Sequence, residues 1–328
     1  MTPEMMESMA SLQDTAASMR QVIGNIQRVI AGKDDAIEGA VVCLFSEGNL
    51  LLEGVPGVGK TMLAKALARS IGGSFRRVQA TPDLLPTDVT GVSIYDQERQ
   101  EFRFVPGPIF ANVVLVDEIN RTTPRTQSAL MEPMEERQAT VDGQTHPLPE
   151  PFFLIATENP IEHHGTYPLP EGQLDRFTMS VRLDYPDAEA ARSVVTRQMV
   201  RHPIDDLEAI LSAEDVVRLR VPVRTVHVSD SLIDYMVSVV QSTRTHEDVQ
   251  LGASPRATVA LTRSIQSLAT VRGREFALPD DVKSLAPAVL GHRLVLKGQR
   301  RAEADAGRRI IEEILEREPV PLGVSEQV

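Results

Sequence analysis

The sequence predicts an α/β fold: a parallel sheet with helices on both faces and two β-hairpin inserts, followed by an all-α domain. Three observations carry this. The aliphatic runs Leu50–Leu52, Val113–Val116 and Phe152–Ala156 have the near-continuous hydrophobicity of strands buried on both faces. Stretches of helical spacing separate them, which is the alternation that crossover connections require. After Tyr185-Pro186 the strand pattern stops, and apolar residues recur at helical spacing from Ala188 to Glu318. Residues 1–184 are therefore expected to form the α/β core with its N-terminal helices, and residues 185–328 a helical domain.

At 328 residues the chain is long for one core, which agrees with two domains. No apolar run approaches the ~18 residues of a membrane-spanning helix, so no membrane insertion is expected. The methionine-rich start, with Glu7, Gln13 and Asp14, lacks the basic-then-apolar pattern of a secretory signal, and a cytoplasmic protein is expected. The net charge of −12, the absence of tryptophan and an aromatic content of 4% disfavour a nucleic-acid-gripping surface. Cys43 is the only cysteine; it sits in an apolar run and reads as buried packing.

In chain order, residues 4–30 carry Met9, Leu12, Ala16, Met19, Ile23, Ile26 and Ile30 at helical spacing, broken by Ala31-Gly32-Lys33. A second helix, about Asp34–Phe45, leads into the first core strand. That strand enters Gly54-Val55-Pro56-Gly57-Val58-Gly59-Lys60-Thr61, the spacing G-x-x-x-x-G-K-T. Glycines let backbone N–H groups turn toward a polyphosphate, and a helix starting at Lys60 adds its positive end. Lys60 is expected to reach the β- and γ-phosphates and Thr61 to ligate Mg²⁺, with the whole loop and Met62 lining the nucleotide.

Phe75–Gln79 is a short strand candidate, and Thr81–Thr90 a loop punctuated by Pro82 and Pro86. Val92–Tyr95 and Glu101–Val105 read as a hairpin. The strand at Val113–Val116 delivers Asp117 and Glu118 at its carboxyl end, where open α/β sheets bind ligands. Asp117 is expected to hold Mg²⁺ through water, and Glu118 to act as general base toward the attacking water. Thr126–Met131 reads as a helix that Pro133 should kink or shorten, and Ala139–Thr145 as a hairpin turning at Asp142-Gly143. In the helical part, breaks are expected at Pro203, Val221-Pro222, Gly252–Pro255, Pro279 and Gly291. Glu162-His163-His164 places three donors together, but adjacent residues seldom converge on one ion, and a polar loop is the better reading.

Longer strings narrow the comparison. Gly107–Asn112, Asp117-Glu118-Ile119-Asn120-Arg121, Asn159-Pro160-Ile161-Glu162, Gly165–Glu171, Gln173–Phe177 and Gly252–Ala257 together resemble the MoxR family of AAA+ ATPases. The resemblance covers about residues 20–320. It implies that Asn159 is sensor 1, placing the attacking water, and that Arg176 is the arginine finger, reaching the nucleotide of a neighbouring subunit. It implies that Arg256 is sensor 2, in cis or in trans, and that both hairpins face a ring's central opening. Glu158 departs from the family, which often has a neutral residue there; Pro133 and Gly172 stand where better helix formers are usual. None of these removes a catalytic group.

The resemblance implies an ATP-hydrolysing chaperone with Mg²⁺, working as a homo-oligomeric, hexameric ring with a von Willebrand factor A domain partner. Two other functions compete: a nucleic-acid-associated motor, and a nucleotide-gated transcriptional or assembly regulator. The first hairpin sets Asp96, Glu98 and Glu101 against Arg99 and Arg103, and the second has only Asp142 as a formal charge. That balance argues against a pore that tracks nucleic acid.

Overall fold

The computed structural model describes residues 11–159, 165–199, 202–298 and 305–321. Met9 and Glu162-His163-His164 lie outside them. Among the described residues, two helices come first, α1 (Leu12–Gln27) and α2 (Asp34–Phe45). Ser11 caps α1 by accepting from the Asp14 amide, and Gly32, at φ 65°, turns the chain between the helices. Five strands then form one sheet: β1 (Leu50–Glu53), β2 (Phe75–Gln79), β5 (Val113–Asp117), β8 (Phe153–Glu158) and β9 (Met179–Arg182). Their spatial order is β2-β5-β8-β1-β9, and every pairing is parallel.

Register sets the site. β2 places Gln79 beside Asp117, and β1 places Glu53 beside Glu158. The carboxyl ends of four strands therefore deliver polar side chains along one edge. Alternation divides the strands between two cores. Leu50, Leu52, Val113, Leu115, Phe153 and Ile155 pack with α1, α2, the phosphate-loop helix α3 (Lys60–Ser70) and the later helices. Leu51, Val114, Val116, Leu154 and Ala156 pack on the opposite face with Ile109, Leu130, Met134 and Phe177.

A short helix, α4 (Pro86–Thr90), lies within the proline-punctuated loop and leads into the first hairpin, β3 (Gly91–Asp96) with β4 (Glu101–Pro106). The segment read as one helix near Thr126 is two, α5 (Pro124–Ser128) and α6 (Met131–Glu136). Pro133 does not cause the break. It sits in the first turn of α6, where an amide would have no intrahelical acceptor. The second hairpin, β6 (Gln138–Val141) with β7 (Gln144–Pro147), turns at Asp142 and Gly143, both at positive φ. A short helix, α7 (Glu171–Leu174), precedes β9.

Beyond β9 come α8 (Ala188–Gln198), α9 (Ala213–Val223), α10 (Asp230–Thr245), α11 (Pro255–Val271), α12 (Pro279–Leu290) and α13 (Ala306–Arg317). Pro255 and Pro279 occupy first helical positions. Pro222 lies in the last turn of α9 rather than ahead of it, so the helix ends just after the proline. Helical spacing did not reveal a small antiparallel ribbon, β10 (Val249–Leu251) with β11 (Val295–Leu296). Among the described residues no helix is long and apolar enough to cross a membrane.

Candidate active site

The turn from β1 into α3 is built on backbone that side chains would spoil. At Gly54, φ is 150° and a Cβ would meet the Leu183 carbonyl oxygen at 2.3 Å; Gly59 caps α3 at φ 100°. Lys60 is buried and folds back, its Nζ 2.6 Å from Gly54 O and 3.3 Å from Glu158 O. A cavity of about 350 Å³ opens over the helix start, lined by Pro56, Gly57, Gly59, Lys60, Thr61, Met62, Arg77, Asp117 and Glu118. The loop, the metal-ligand candidates and the base candidate thus share one cavity. Gly54, Val55 and Val58 line no part of it.

The two carboxylates are held differently. Asp117 is buried; its Oδ1 accepts from Thr157 Oγ1 at 2.6 Å and its Oδ2 from Arg77. Thr157 Oγ1 also accepts from the Glu118 amide at 2.8 Å, so one hydroxyl fixes both residues. Glu118 adopts φ 58°, ψ 50°, a left-handed conformation that costs a non-glycine residue roughly 1 kcal/mol or more. Its Oε2 accepts from Gln79 Nε2 at 3.1 Å and pairs with Arg121 Nε at 3.2 Å. Asn159 is buried at the end of β8, one residue past Glu158. Burial, reinforced by Glu53 and opposed by Lys60, pushes the Glu158 carboxyl up to about 7. The Glu158 side chain lines a different recess from that of the phosphate loop, together with Glu53, His292 and Arg308.

A second recess, about 370 Å³ and mostly apolar, adjoins the loop at Gly57, Val58, Gly59 and Met62. Its far walls are Val29–Ala31 and Lys33 on one side and Pro186, Ala191, Val194 and His202 on the other. A flat apolar group joined to the phosphates would fit between these walls. Sequence reasoning missed them, because residues near 30 and near 190 carry no motif and meet only through the fold.

Arg176 and Arg256 do not line the phosphate cavity. Both converge on Glu135 of α6: Arg176 Nε lies 3.1 Å from its Oε2, and Arg256 Nη2 grips its Oε1. Burial would raise the Glu135 carboxyl, but hydrogen bonds from Arg256 and Arg176 hold it below its ordinary value. They share a recess of about 310 Å³ with Arg137, Asp175, Arg263 and Arg293. Arg293, almost fully buried, ties the helical part to this face through Asp175 Oδ1 at 2.9 Å and the Phe177 carbonyl at 2.7 Å. His292 adds a contact of 2.9 Å to the same carbonyl oxygen.

Comparison with known proteins agrees with this fold. Residues 49–179 match the ATPase family associated with various cellular activities (AAA), and residues 241–316 match the AAA lid domain. Chaperone MoxR1 of Mycobacterium tuberculosis is 43% identical over 93% of this chain and 82% of that protein. The chain belongs to the MoxR family of AAA+ ATPases. Protein MoxR of Methylorubrum extorquens is 30% identical over 87% of this chain and 89% of its own length. An uncharacterised protein of Bacillus subtilis, YeaC, is 47% identical over 96% and 98%. A crystal structure of a candidate ATPase from Cytophaga hutchinsonii superposes with a TM-score of 0.86 at 37% identity, covering 94% of this chain and 96% of that one.

Membership makes the protein an ATPase and accounts for the sheet and helical lid. For a MoxR protein, the side chains around the carboxylates are the informative addition. Gln79, Arg121 and Thr157 hold Asp117 and Glu118, and none was given a role from the sequence, although Arg121 belongs to a string that carries the family resemblance. The position of Gln79, at the carboxyl end of a neighbouring strand, is the signal that could have found it.

Proposed function

We propose that this MoxR protein binds ATP with Mg²⁺ and hydrolyses it as a chaperone that remodels or matures partner protein complexes, working as a homo-oligomeric ring, hexameric by family resemblance. Residues 1–184 would be the nucleotide-binding unit and residues 185–328 its lid. The apolar recess at Val29, Val58 and Val194 would take the base, and the cavity at Lys60 the phosphates. The Thr61 hydroxyl and the Asp117 carboxylate are hard oxygen donors on one cavity wall, which suits Mg²⁺. When bound, Mg²⁺ would neutralise charge on the β- and γ-phosphates. Lys60 would leave the carbonyls of Gly54 and Glu158 for phosphate oxygens. Glu118, with Asn159 at the adjacent strand end, would orient and deprotonate the attacking water.

One observation carries the ring. Arg176 and Arg256 share Glu135 in a recess apart from the phosphate cavity of their own subunit. Two guanidinium groups gathered there suit a γ-phosphate presented by a neighbour, so both arginines would act in trans. A trans arginine contributes ~10³–10⁵ in rate.

A protein client is favoured by the hairpins. Phe102 is 74% exposed at β4, and Ile94 and Tyr95 are half exposed opposite. Acidic residues outnumber arginines on that hairpin, which disfavours a nucleic-acid track. A von Willebrand factor A domain partner is the expected associate. Affinity capture with Glu118→Gln in ATP, against Lys60→Ala, tests the reading. Specific protein partners retained only by Glu118→Gln would support it; DNA-stimulated hydrolysis with no such partner would contradict it.

A further inference from the structure

The phosphate cavity contains a second cationic side chain besides Lys60: Arg77, on β2. Residues 77 and 79 share a strand face, so the guanidinium runs along Gln79 toward the end of β5. Arg77 Nη2 lies 2.5 Å and Nε 3.2 Å from Asp117 Oδ2, and Nη2 also donates to Gln79 Oε1 at 2.7 Å. Gln79 Nε2 in turn donates to Glu118 Oε2 at 3.1 Å. Arg77 therefore touches the carboxylate assigned to the metal directly, and the base at one remove.

Asp117 does not need Arg77 for its orientation. Its Oδ1 is fixed by Thr157 at 2.6 Å, which leaves Oδ2 as the oxygen available to a cation. The Arg77 side chain retains 46% exposure, whereas that of Asp117 retains 11%. The arginine has open space to turn into, whereas the aspartate is enclosed. A guanidinium and a hydrated divalent cation at one carboxylate oxygen repel each other, because both are positive in a partly buried, poorly screened place.

We propose that Arg77 competes with the divalent cation for Asp117 Oδ2. The cavity then exchanges guanidinium for metal as nucleotide is loaded, and Arg77 turns toward the phosphate oxygens. The proposal rests on reading the cavity as an Mg²⁺–ATP site. It has a consequence for the base. Gln79 holds Arg77 with its oxygen and Glu118 with its nitrogen, so moving Arg77 loosens one of the two side chains, Gln79 and Arg121, that hold Glu118. Metal loading and base release would be linked through two side chains of one strand.

The test is nucleotide binding, without hydrolysis. A fluorescent ATP analogue is titrated into the wild-type protein and Arg77→Ala, Arg77→Gln and Arg77→Lys, once in EDTA and once in saturating Mg²⁺. The ratio of the two Kd values measures how much the metal helps. Removing the competing charge should weaken metal-free binding far more than metal-dependent binding, raising the ratio roughly tenfold in the Ala and Gln variants. Arg77→Lys keeps the charge and should stay within about twofold of wild type. Arg77→Gln keeps the stem of the side chain through Cδ, which Arg77→Ala removes, so agreement between the two argues against a packing effect. A ratio that stays level or falls in both neutral variants overturns the proposal, as does an equal rise in Arg77→Lys. Wild-type protein that binds no nucleotide in Mg²⁺ would overturn the reading of the cavity, and this inference with it.

Discussion

Arg176 Nε lies 3.1 Å from Glu135 Oε2, on a carboxylate whose other oxygen is taken by Arg256. One arginine precedes β9 and the other opens α11, yet a single α6 residue gathers them. Two like charges would otherwise repel, so Glu135 is what lets them present one surface. On the proposed reading the loop and carboxylates would act from one recess of the subunit and the arginines from another.

Glu118→Gln should separate binding from turnover. The amide keeps the side chain's size but cannot take a proton, so hydrolysis should fall by ~10²–10⁴ while ATP binding persists. Steady-state turnover beside analogue binding checks this. Wild-type turnover in the variant would remove Glu118 from the base role.

Glu158 should make stability depend on pH. Its carboxyl is pushed from its ordinary 4.5 up to about 7, so the folded protein holds a proton that the unfolded chain releases. That contribution is complete below about 4.5 and is lost as pH rises through 7. His292 acts in the opposite sense. Burial first, then Arg293, lowers its imidazole to about 3, so its contribution is present above the unfolded value of 6.5 and is lost as pH falls toward 3. The two partly cancel between pH 4.5 and 6.5. Glu158→Gln isolates one of them: its stability relative to wild type should grow between pH 5 and pH 7.5, by ~3 kcal/mol at most. Urea midpoints at both pH values measure it, and an unchanged difference would contradict it.

Phe104 should couple the two hairpins. Its ring stacks on His146 at 3.9 Å and 12°, and it meets Phe110 edge-on at 5.4 Å. Phe104→Ala should cost ~1 kcal/mol or more through lost ring contacts. Phe102→Ala, at a 74% exposed position, should stay within ~0.5 kcal/mol. Chemical denaturation of both variants gives the comparison, and equal costs would refute the coupling.

What the sequence made legible was local. The G-x-x-x-x-G-K-T spacing, the aliphatic run ending in Asp117-Glu118 and the Asp142-Gly143 turn are contiguous, so their chemistry and conformation can be read from neighbours. The helical lid was legible from periodicity, although the Val249–Leu251 ribbon was not, because three residues carry no period. The partners of the carboxylates were hidden because register, not spacing, places Gln79 beside Asp117. Glu135 was hidden more deeply. It is one acidic residue among several on α6, and only the packing of that helix gives it two arginines.

The central claim is that each nucleotide site is completed by a neighbouring subunit, and mixing two inactive variants tests it most directly. Arg176→Ala keeps an intact cavity but presents no finger; Lys60→Ala presents the finger but has a crippled cavity. Each alone should hydrolyse ATP at least ~10²-fold more slowly than wild type. Co-assembled in equal amounts, they should recover a substantial part of wild-type turnover, because some interfaces pair the intact cavity with the intact arginine. A mixture as inactive as its components would contradict the account.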